Sequence, residues 1–88
     1  MPESSHPIRV EIYSRPGCHL CDEAKAVVEG YREKYSLVLE SINVESSADL
    51  ENRYGEHIPV VLLDGREAFR YRVDGNELER KLKALWNK

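Results

Sequence analysis

A strand pattern and a helix pattern follow each other directly in the first third of the chain. Residues 8–13 alternate apolar and polar side chains, which is the period of a strand with one buried face. After a break at Pro16 and Gly17, apolar residues recur at the spacing of one helix face; they are Leu20, Ala24, Val27, Val28 and Tyr31. Residues 37–44 return to an apolar strand composition. Because a helical crossover joins parallel strands, these segments predict a βαβ unit and an α/β fold.

The middle of the chain predicts a short helix and then a hairpin. One of the two serines at 46–47 can cap a helix that stops at Gly55. Residues 60–63 are all apolar, as in a strand inside a sheet. The Asp64-Gly65 pair that follows is a hairpin-turn signal.

The return strand of this hairpin is predicted over residues 66–73. Its alternation puts Phe69, Tyr71 and Val73 on one face, and Arg66, Ala68, Arg70 and Arg72 on the other. Arginines on an edge strand oppose aggregation between sheets, which explains their positions without a ligand. No aromatic side chains lie among them on that face, as single-strand binding would need, so we expect no nucleic-acid binding. Asp74 then begins a last helix whose apolar positions are Leu78, Leu82, Leu85 and Trp86.

The resulting order is β-α-β-α-β-β-α, a four-stranded mixed sheet flanked by three helices, which is the thioredoxin-like arrangement. We expect residues 1–7 to be a flexible tail and residues 8–88 to form a single domain. The net charge of −3 is too mild for a nucleic-acid binder. No apolar run approaches the ~20 residues that span a bilayer, and no signal peptide is visible, so we expect a cytoplasmic monomer without membrane contact.

The only two cysteines, Cys18 and Cys21, lie three positions apart at the start of the first predicted helix. Positions i and i+3 are neighbours on a helix face, so the pair can form and reopen a disulfide. Backbone N–H groups at a helix start favour a thiolate at Cys18, and such placement lowers a thiol pKa from about 8.5 to ~3.5–7.5. We predict that Cys18 is the nucleophile and that Cys21, on the core side, is the resolving thiol.

The charged neighbours of Cys18 act in both directions. Arg15 and a protonated His19 would stabilise a thiolate at Cys18, whereas Asp22 and Glu23 would oppose it. The sequence therefore predicts whether each group stabilises or destabilises the Cys18 thiolate, and it does not predict the net effect.

Two motifs in this order, RPGCHLC at residues 15–21 and IPVV at residues 58–61, indicate a family. The chain resembles the glutaredoxin branch of the thioredoxin superfamily and, more narrowly, small bacterial glutaredoxin-like proteins, over nearly its whole length. The resemblance implies that Pro59 is cis and faces the cysteine pair. It also implies that Ile58 offers its backbone N–H and C=O to an extended thiol substrate. The predicted substrate-binding residues are Arg15, His19, His57, Ile58, Pro59, Asp74 and Gly75.

The sequence differs from many glutaredoxins at two places. His19-Leu20 stands where Pro-Tyr is usual, and residues 73–77 carry one glycine where a Gly-Gly-x-Asp turn is common. We predict a thiol–disulfide oxidoreductase that acts on protein or small-molecule disulfides without a tightly bound cofactor. The differences leave glutathione open as a co-substrate.

Two other classes of function are compatible with the cysteine pair. A metal or iron–sulfur carrier could use Cys18, with His57 and either His6 or His19 as further ligands, or with Cys18 of a second copy. A Cys-x-x-Cys motif supplies only two of the four ligands of a closed zinc site, so we predict no metal. A redox-inert thioredoxin-fold binding module is the third reading.

Overall fold

The computed structural model describes residues 7–86, which form four strands and four helices. The elements are β1 (Ile8–Ser14), α1 (His19–Glu29), α2 (Arg32–Tyr35), β2 (Leu37–Asn43), α3 (Ala48–Tyr54), β3 (Val60–Leu63), β4 (Arg66–Arg70) and α4 (Gly75–Trp86). A 3₁₀ turn at Val44–Ser46 links β2 to α3. The predicted order is confirmed, with α2 as an additional single turn. The predicted tail lies outside the described residues except for Pro7.

The strands form one mixed sheet in the order β2-β1-β3-β4. β1 runs parallel to β2, with Ile8 opposite Leu37, and antiparallel to β3, with Tyr13 opposite Val60. β3 and β4 form the predicted hairpin. The central strand β1 is therefore hydrogen-bonded on both sides, and the loop that follows it leaves the middle of the sheet.

The core lies on one face of this sheet. Ile8, Val10 and Ile12 of β1 point to the same face and are fully buried against α1 and α4. Leu78 and Leu82 of α4 are also fully buried, as their helical spacing predicted. Burying an aliphatic side chain of this size stabilises the fold by about 1.5–3 kcal/mol.

The buried stripe of α1 differs from the predicted one at its first position. Cys21, Ala24 and Val28 are the buried residues of α1, spaced by three and four. Leu20 is 36% exposed, so its assignment to the core face was wrong. The helix begins at His19 and turns Cys21 inward, which leaves Leu20 on the flank of the stripe.

The opposite face of the sheet is covered only near one end. Tyr54 of α3 stacks on Tyr13 of β1, with ring centroids 4.3 Å apart, but none of the residues of α3 is buried. Ser47, one of the two serines predicted as a possible cap, caps α3 by accepting the Leu50 N–H at 3.1 Å. Toward the start of β1 this face instead presents Arg9, which forms ion pairs with two glutamates of the sheet. The predicted helices therefore flank the sheet on both faces, but on this face α3 covers only one end of it.

The return strand β4 is shorter than predicted and contains a bulge. Asp64 and Gly65 have φ of 49° and 86°, as a two-residue hairpin turn requires. Leu62 then pairs with Glu67 but Val61 pairs with Phe69, so Ala68 is an extra residue. Both Ala68 and Phe69 consequently pack against the core.

The predicted alternation over residues 66–73 was therefore wrong at its far end. The bulge moves neighbouring residues onto the same face, and the strand ends at Arg70. Tyr71 adopts a left-handed backbone conformation with φ of 69°, and Val73 lies beyond the strand. Residues 71–74 thus form a connection to α4 rather than the end of a strand.

The unpredicted helix α2 is fastened to α4 by polar contacts. The hydroxyl of Tyr35 donates to Glu79 at 2.9 Å, and Lys34 lies 2.7 Å from the same carboxylate oxygen. These contacts, that of Lys34 first, lower the pKa of Glu79 from its ordinary value. The Tyr35 ring itself is buried edge-on against Trp86.

No helix within residues 7–86 combines the length and the apolar character needed to cross a membrane.

Replacing Leu78 by Ala should lower the free energy of unfolding by about 2–5 kcal/mol, because the fully buried side chain would leave a cavity. Leu20→Ala is the matched control, and its exposed side chain should cost less than about 0.5 kcal/mol. Urea unfolding followed by circular dichroism measures both. Equal losses in the two variants would contradict the burial of Leu78 on α4 and the exposure of Leu20 on α1.

Replacing Glu79 by Gln should make the free energy of unfolding fall less steeply as the pH is lowered into the acid range. Because folding lowers the pKa of Glu79, its contacts stabilise the fold above the ordinary value of 4.5 and are lost as the pH falls through the lower folded value. Urea unfolding at a series of pH values below neutral measures the slope. The exposed Glu33 has no ion pair within residues 7–86, so Glu33→Gln should keep the wild-type slope. An unchanged slope in Glu79→Gln would contradict the assignment.

Candidate active site

The loop between β1 and α1 places Cys18 at the first position before the helix. The N–H of Cys18 donates to the carbonyl of Arg15 at 3.3 Å, which closes a turn through Pro16 and Gly17. Gly17 has φ of 79°, a conformation in which a residue with a Cβ would be strained. The Cys18 carbonyl then accepts the N–H of Asp22 and starts the helical ladder. Cys18 is therefore the N-cap residue of α1.

Cys18 and Cys21 are joined in a disulfide, with their Cα atoms 5.2 Å apart. The Cys18 Sγ also accepts a hydrogen bond from the backbone N–H of Cys21 at 3.1 Å. Cys18 is partly exposed, whereas Cys21 is 1% exposed and belongs to the buried stripe of α1. The predicted arrangement, with one accessible sulfur and one turned toward the core, is confirmed.

The segment before β3 lies at the same edge of the sheet as Cys18. Because β1 and β3 are antiparallel and Tyr13 pairs with Val60, the end of β1 meets the start of β3. The Ile58–Pro59 peptide bond is cis, as the resemblance implied. The Pro59 side chain is buried, and its carbonyl accepts the N–H of Tyr71 at 2.8 Å.

The backbone of Ile58 is unpaired within residues 7–86. Neither its N–H nor its C=O has a hydrogen-bond partner there, although the flanking His57 N–H and Pro59 C=O are both bonded. Ile58 itself is partly exposed. One donor and one acceptor are thus available at the sheet edge from which the Cys18 loop leaves, which is what an added strand would need.

Tyr71 lies beside Pro59 and His57, a position that the strand prediction missed. Its hydroxyl lies 2.8 Å from Nδ1 of His57, and the two rings meet edge to face at 6.0 Å. Its backbone is left-handed, which is uncommon for a bulky residue and concentrates at functional sites. Strand alternation gave no signal for this conformation, because the bulge and the strand end depend on contacts across the sheet.

Tyr71 and Leu20 stand on the rim of a small cleft of ≈ 160 Å³ between α1 and the connection to α4. Tyr71 is 47% exposed, and with Leu20 it is among the few large apolar side chains on the surface. The lining residues are Leu20, Glu23, Ala24, Val27, Tyr71, Arg72 and Val73. The cleft has apolar walls with one acidic and one basic side chain.

The remaining predicted binding residues are engaged in contacts of their own. Arg15 is bound to α3 and to the loop after it. His19 is highly exposed, and its Nε2 lies 3.0 Å from Glu23. Asp74 caps α4, because its carboxylate accepts the Asn76 N–H and its carbonyl accepts the Leu78 N–H.

Gly75 lies opposite a later part of α1. A Cβ added there would be 3.5 Å from the Tyr31 hydroxyl and 3.8 Å from Val27, about two and a half turns along α1 from Cys18. The structure therefore brings His57, Ile58 and Pro59 to the edge that carries the sulfurs and places Gly75 farther away. The binding roles of these residues stay predictions.

The pKa values near the site shift for identifiable reasons. Burial raises the pKa of Tyr13, and the carboxylate of Glu11 adds to the shift, so the Tyr13 phenol is neutral at physiological pH. At the end of β4, the hydrogen bond from Arg70 lowers the pKa of Glu67, and a smaller contribution comes from His57. Glu67 is therefore an ionised neighbour of the His57 ring.

The residues that the structure describes contain no group of three or more His, Cys, Asp or Glu side chains arranged to hold a metal ion. His6, one ligand of the metal alternative, lies outside those residues. Cys18 and Cys21 face each other as a pair, with no third ligand grouped beside them within residues 7–86.

The family model described as Glutaredoxin-like domain (DUF836) matches residues 9–83. The chain belongs to this glutaredoxin-like family. A glutaredoxin-like protein of Dictyostelium discoideum is 24% identical over 84 residues, covering 89% of this chain and 78% of its own.

Solved structures also resemble this glutaredoxin-like protein. The solution structure of protein Ne2328 from Nitrosomonas europaea superposes with a TM-score of 0.76 at 28% identity, covering 86% of this chain and 92% of its own. A mutant thioredoxin from Halobacterium salinarum superposes with a TM-score of 0.66 at 20% identity, covering 96% and 79%. The second likeness shows that the glutaredoxin-like protein has the thioredoxin-like fold.

The exposure of the two sulfurs predicts an order of alkylation in the reduced protein. Iodoacetamide should modify Cys18 at least about ten times faster than Cys21, because Cys18 is partly exposed at a helix start and Cys21 is 1% exposed. Peptide mapping by mass spectrometry after short exposures measures both rates. In urea the two rates should become similar. Faster modification of Cys21 in the folded protein would show that the roles are reversed.

Proposed function

We propose that this glutaredoxin-like protein is a dithiol thiol–disulfide oxidoreductase. The Cys18 thiolate attacks a substrate disulfide, forms a mixed disulfide and releases one substrate thiol. The Cys21 thiolate then attacks the Cys18 sulfur, which releases the second substrate thiol and leaves the Cys18–Cys21 disulfide. The protein loses two electrons and the substrate disulfide gains them, while the two thiol protons end on the released thiols.

The observation that carries this proposal is the hydrogen bond from the Cys21 N–H to the Cys18 sulfur. A backbone donor at a helix start stabilises negative charge on the atom that accepts from it. The same contact keeps the resolving residue within one helical turn of the nucleophile. A reactive sulfur and the group that completes the reaction are therefore held by a single turn of α1.

Substrate recognition is proposed to use the free backbone of Ile58. An extended chain on either side of the substrate cysteine could accept the Ile58 N–H and donate to its C=O, as in strand addition. Tyr71 and Leu20 would then contact apolar side chains of the substrate, since both are exposed beside the same edge. Protein disulfides and small-molecule disulfides both fit this mode.

We further propose that the protein works as a cytoplasmic monomer with no tightly bound cofactor. A cytoplasmic dithiol is kept reduced by the thiol systems of that compartment, as the first step of the proposed reaction needs. The substrate supplies the second sulfur pair, so the reaction requires no further redox group. Glutathione is a candidate reductant in this scheme.

Replacing Cys18 by Ser should reduce the catalysed reduction of a model disulfide at least about a hundredfold, because the attacking thiolate is lost. Cys21→Ser should still attack and should accumulate a mixed disulfide at Cys18. Reduction of hydroxyethyl disulfide by dithiothreitol measures the rate. Intact-protein mass spectrometry detects the adduct after the pre-reduced variant, freed of dithiothreitol, is mixed with hydroxyethyl disulfide alone. Circular dichroism of both variants controls for folding.

Undiminished turnover in Cys18→Ser would rule out this mechanism. Absence of turnover in the wild type would favour the redox-inert module. Elemental analysis and an absorption spectrum of the anaerobically purified protein test the metal alternative separately. Bound metal or an iron–sulfur absorption band would contradict the proposed function.

A further inference from the structure

Arg15 is the cation that precedes the nucleophile in the active-site loop, and its charge is compensated within the fold. Its Nη2 lies 2.9 Å from the Glu51 carboxylate and 2.8 Å from the Gly55 carbonyl. Its Nη1 lies 3.6 Å from the Glu45 carboxylate. One guanidinium therefore faces two carboxylates and a carbonyl, and this cluster carries a net charge of about −1 when all its groups are ionised.

The partners of Arg15 come from distant parts of the chain. Glu51 lies on α3, 36 residues away, and Glu45 lies in the 3₁₀ turn before it. Arg15 is a third exposed, at 32%, so solvent reaches the cluster, and the Arg15 carbonyl accepts the Cys18 N–H in the same loop. A substrate carboxylate that approached Arg15 would have to displace Glu51 or Glu45.

On the other side of Cys18 the charges are paired only in part, because Lys25, which shares a groove with Arg15 and Asp22, has no ion pair within residues 7–86. His19 pairs with Glu23, which also forms part of the cleft wall. Asp22 in the first turn of α1 has no ion pair within residues 7–86. Arg72 on the opposite cleft wall shares that cleft with Glu23.

We propose that Glu51, assisted by Glu45, is a specificity-determining residue that makes Cys18 discriminate against anionic disulfides. The favoured substrates are neutral or cationic, such as a disulfide in a peptide with basic neighbours. Glutathione disulfide, which carries a net negative charge at neutral pH, is disfavoured. The inference rests on the proposed function, because it concerns the charge preference of the same nucleophile.

The test compares three disulfides that differ in charge. Reduced protein is mixed with cystamine, hydroxyethyl disulfide or glutathione disulfide, which are dicationic, neutral and anionic. Formation of the Cys18–Cys21 disulfide is followed by acid quench and mass spectrometry. Each rate is divided by the rate of dithiothreitol with the same disulfide, which removes the intrinsic reactivity of the disulfide.

The normalised rate with cystamine should exceed that with glutathione disulfide by about tenfold at low ionic strength and should fall toward equality in ~0.5 M salt. Glu51→Gln keeps the shape of the side chain and removes its charge. It should therefore lower the ratio of the cystamine rate to the glutathione disulfide rate by about three- to fivefold. Glu45→Gln should act in the same direction and less strongly, since its carboxylate is farther from Arg15. It also serves as the second variant if Glu51→Gln folds poorly.

Glu33→Gln is the matched control because it changes the net charge by the same amount at the opposite end of the sheet. It lies on α2, just before the start of β2, and the seven residues of β1 separate that end from Cys18. That is about 20 Å, or two screening lengths at ~0.1 M salt, so the ratio of Glu33→Gln measured at that salt should equal the wild-type ratio.

The outcomes separate this inference from the function on which it rests. Reaction with all three disulfides without a charge preference would overturn the inference and leave the redox function standing. An unchanged ratio in both Glu51→Gln and Glu45→Gln would overturn the role of the cluster. Absence of reaction with every disulfide would overturn the proposed function together with the inference.

Discussion

The structure depends on β1 being paired on both of its sides. Because its neighbours are a parallel strand and an antiparallel strand, the end of β1 adjoins the end of β2 and the start of β3. The loop that carries Cys18 and the segment that carries Pro59 are brought together by this pairing alone. The fully buried residues of β1 stabilise the same arrangement, so the core and the site share one strand.

Helix α1 likewise contributes residues both to the hydrophobic core and to the candidate active site. Cys21 is both the first member of the buried stripe and the partner of Cys18, and its N–H contacts the Cys18 sulfur. The packing of Ala24 and Val28 fixes the rotation of the helix about its axis. That rotation decides which sulfur is accessible, so the chemical asymmetry of the pair follows from apolar burial.

Local patterns predicted the element order, a serine cap at residue 46 or 47, the Asp64-Gly65 turn and the inward position of Cys21. Those features depend on neighbours in the chain. The bulge at Ala68, the conformation of Tyr71 and the ion pairs of Arg15 depend on residues far away in sequence, so periodicity carried no signal for them. The exposure of Leu20 was missed because helical spacing gives a face only to within about one residue. The cis bond before Pro59 came from the family resemblance.

Helix α3 has no buried residue and is joined to β1 and its loop by the stack of Tyr54 on Tyr13 and the bond from Arg15 to Glu51. Segments with so few buried contacts open locally at a small free-energy cost, and their amide hydrogens exchange long before those of a central strand. Substitutions within α3 are correspondingly cheap for the fold as a whole. The surface beside the sulfurs can therefore diverge rapidly among descendants of this chain while the sheet beneath it stays the same.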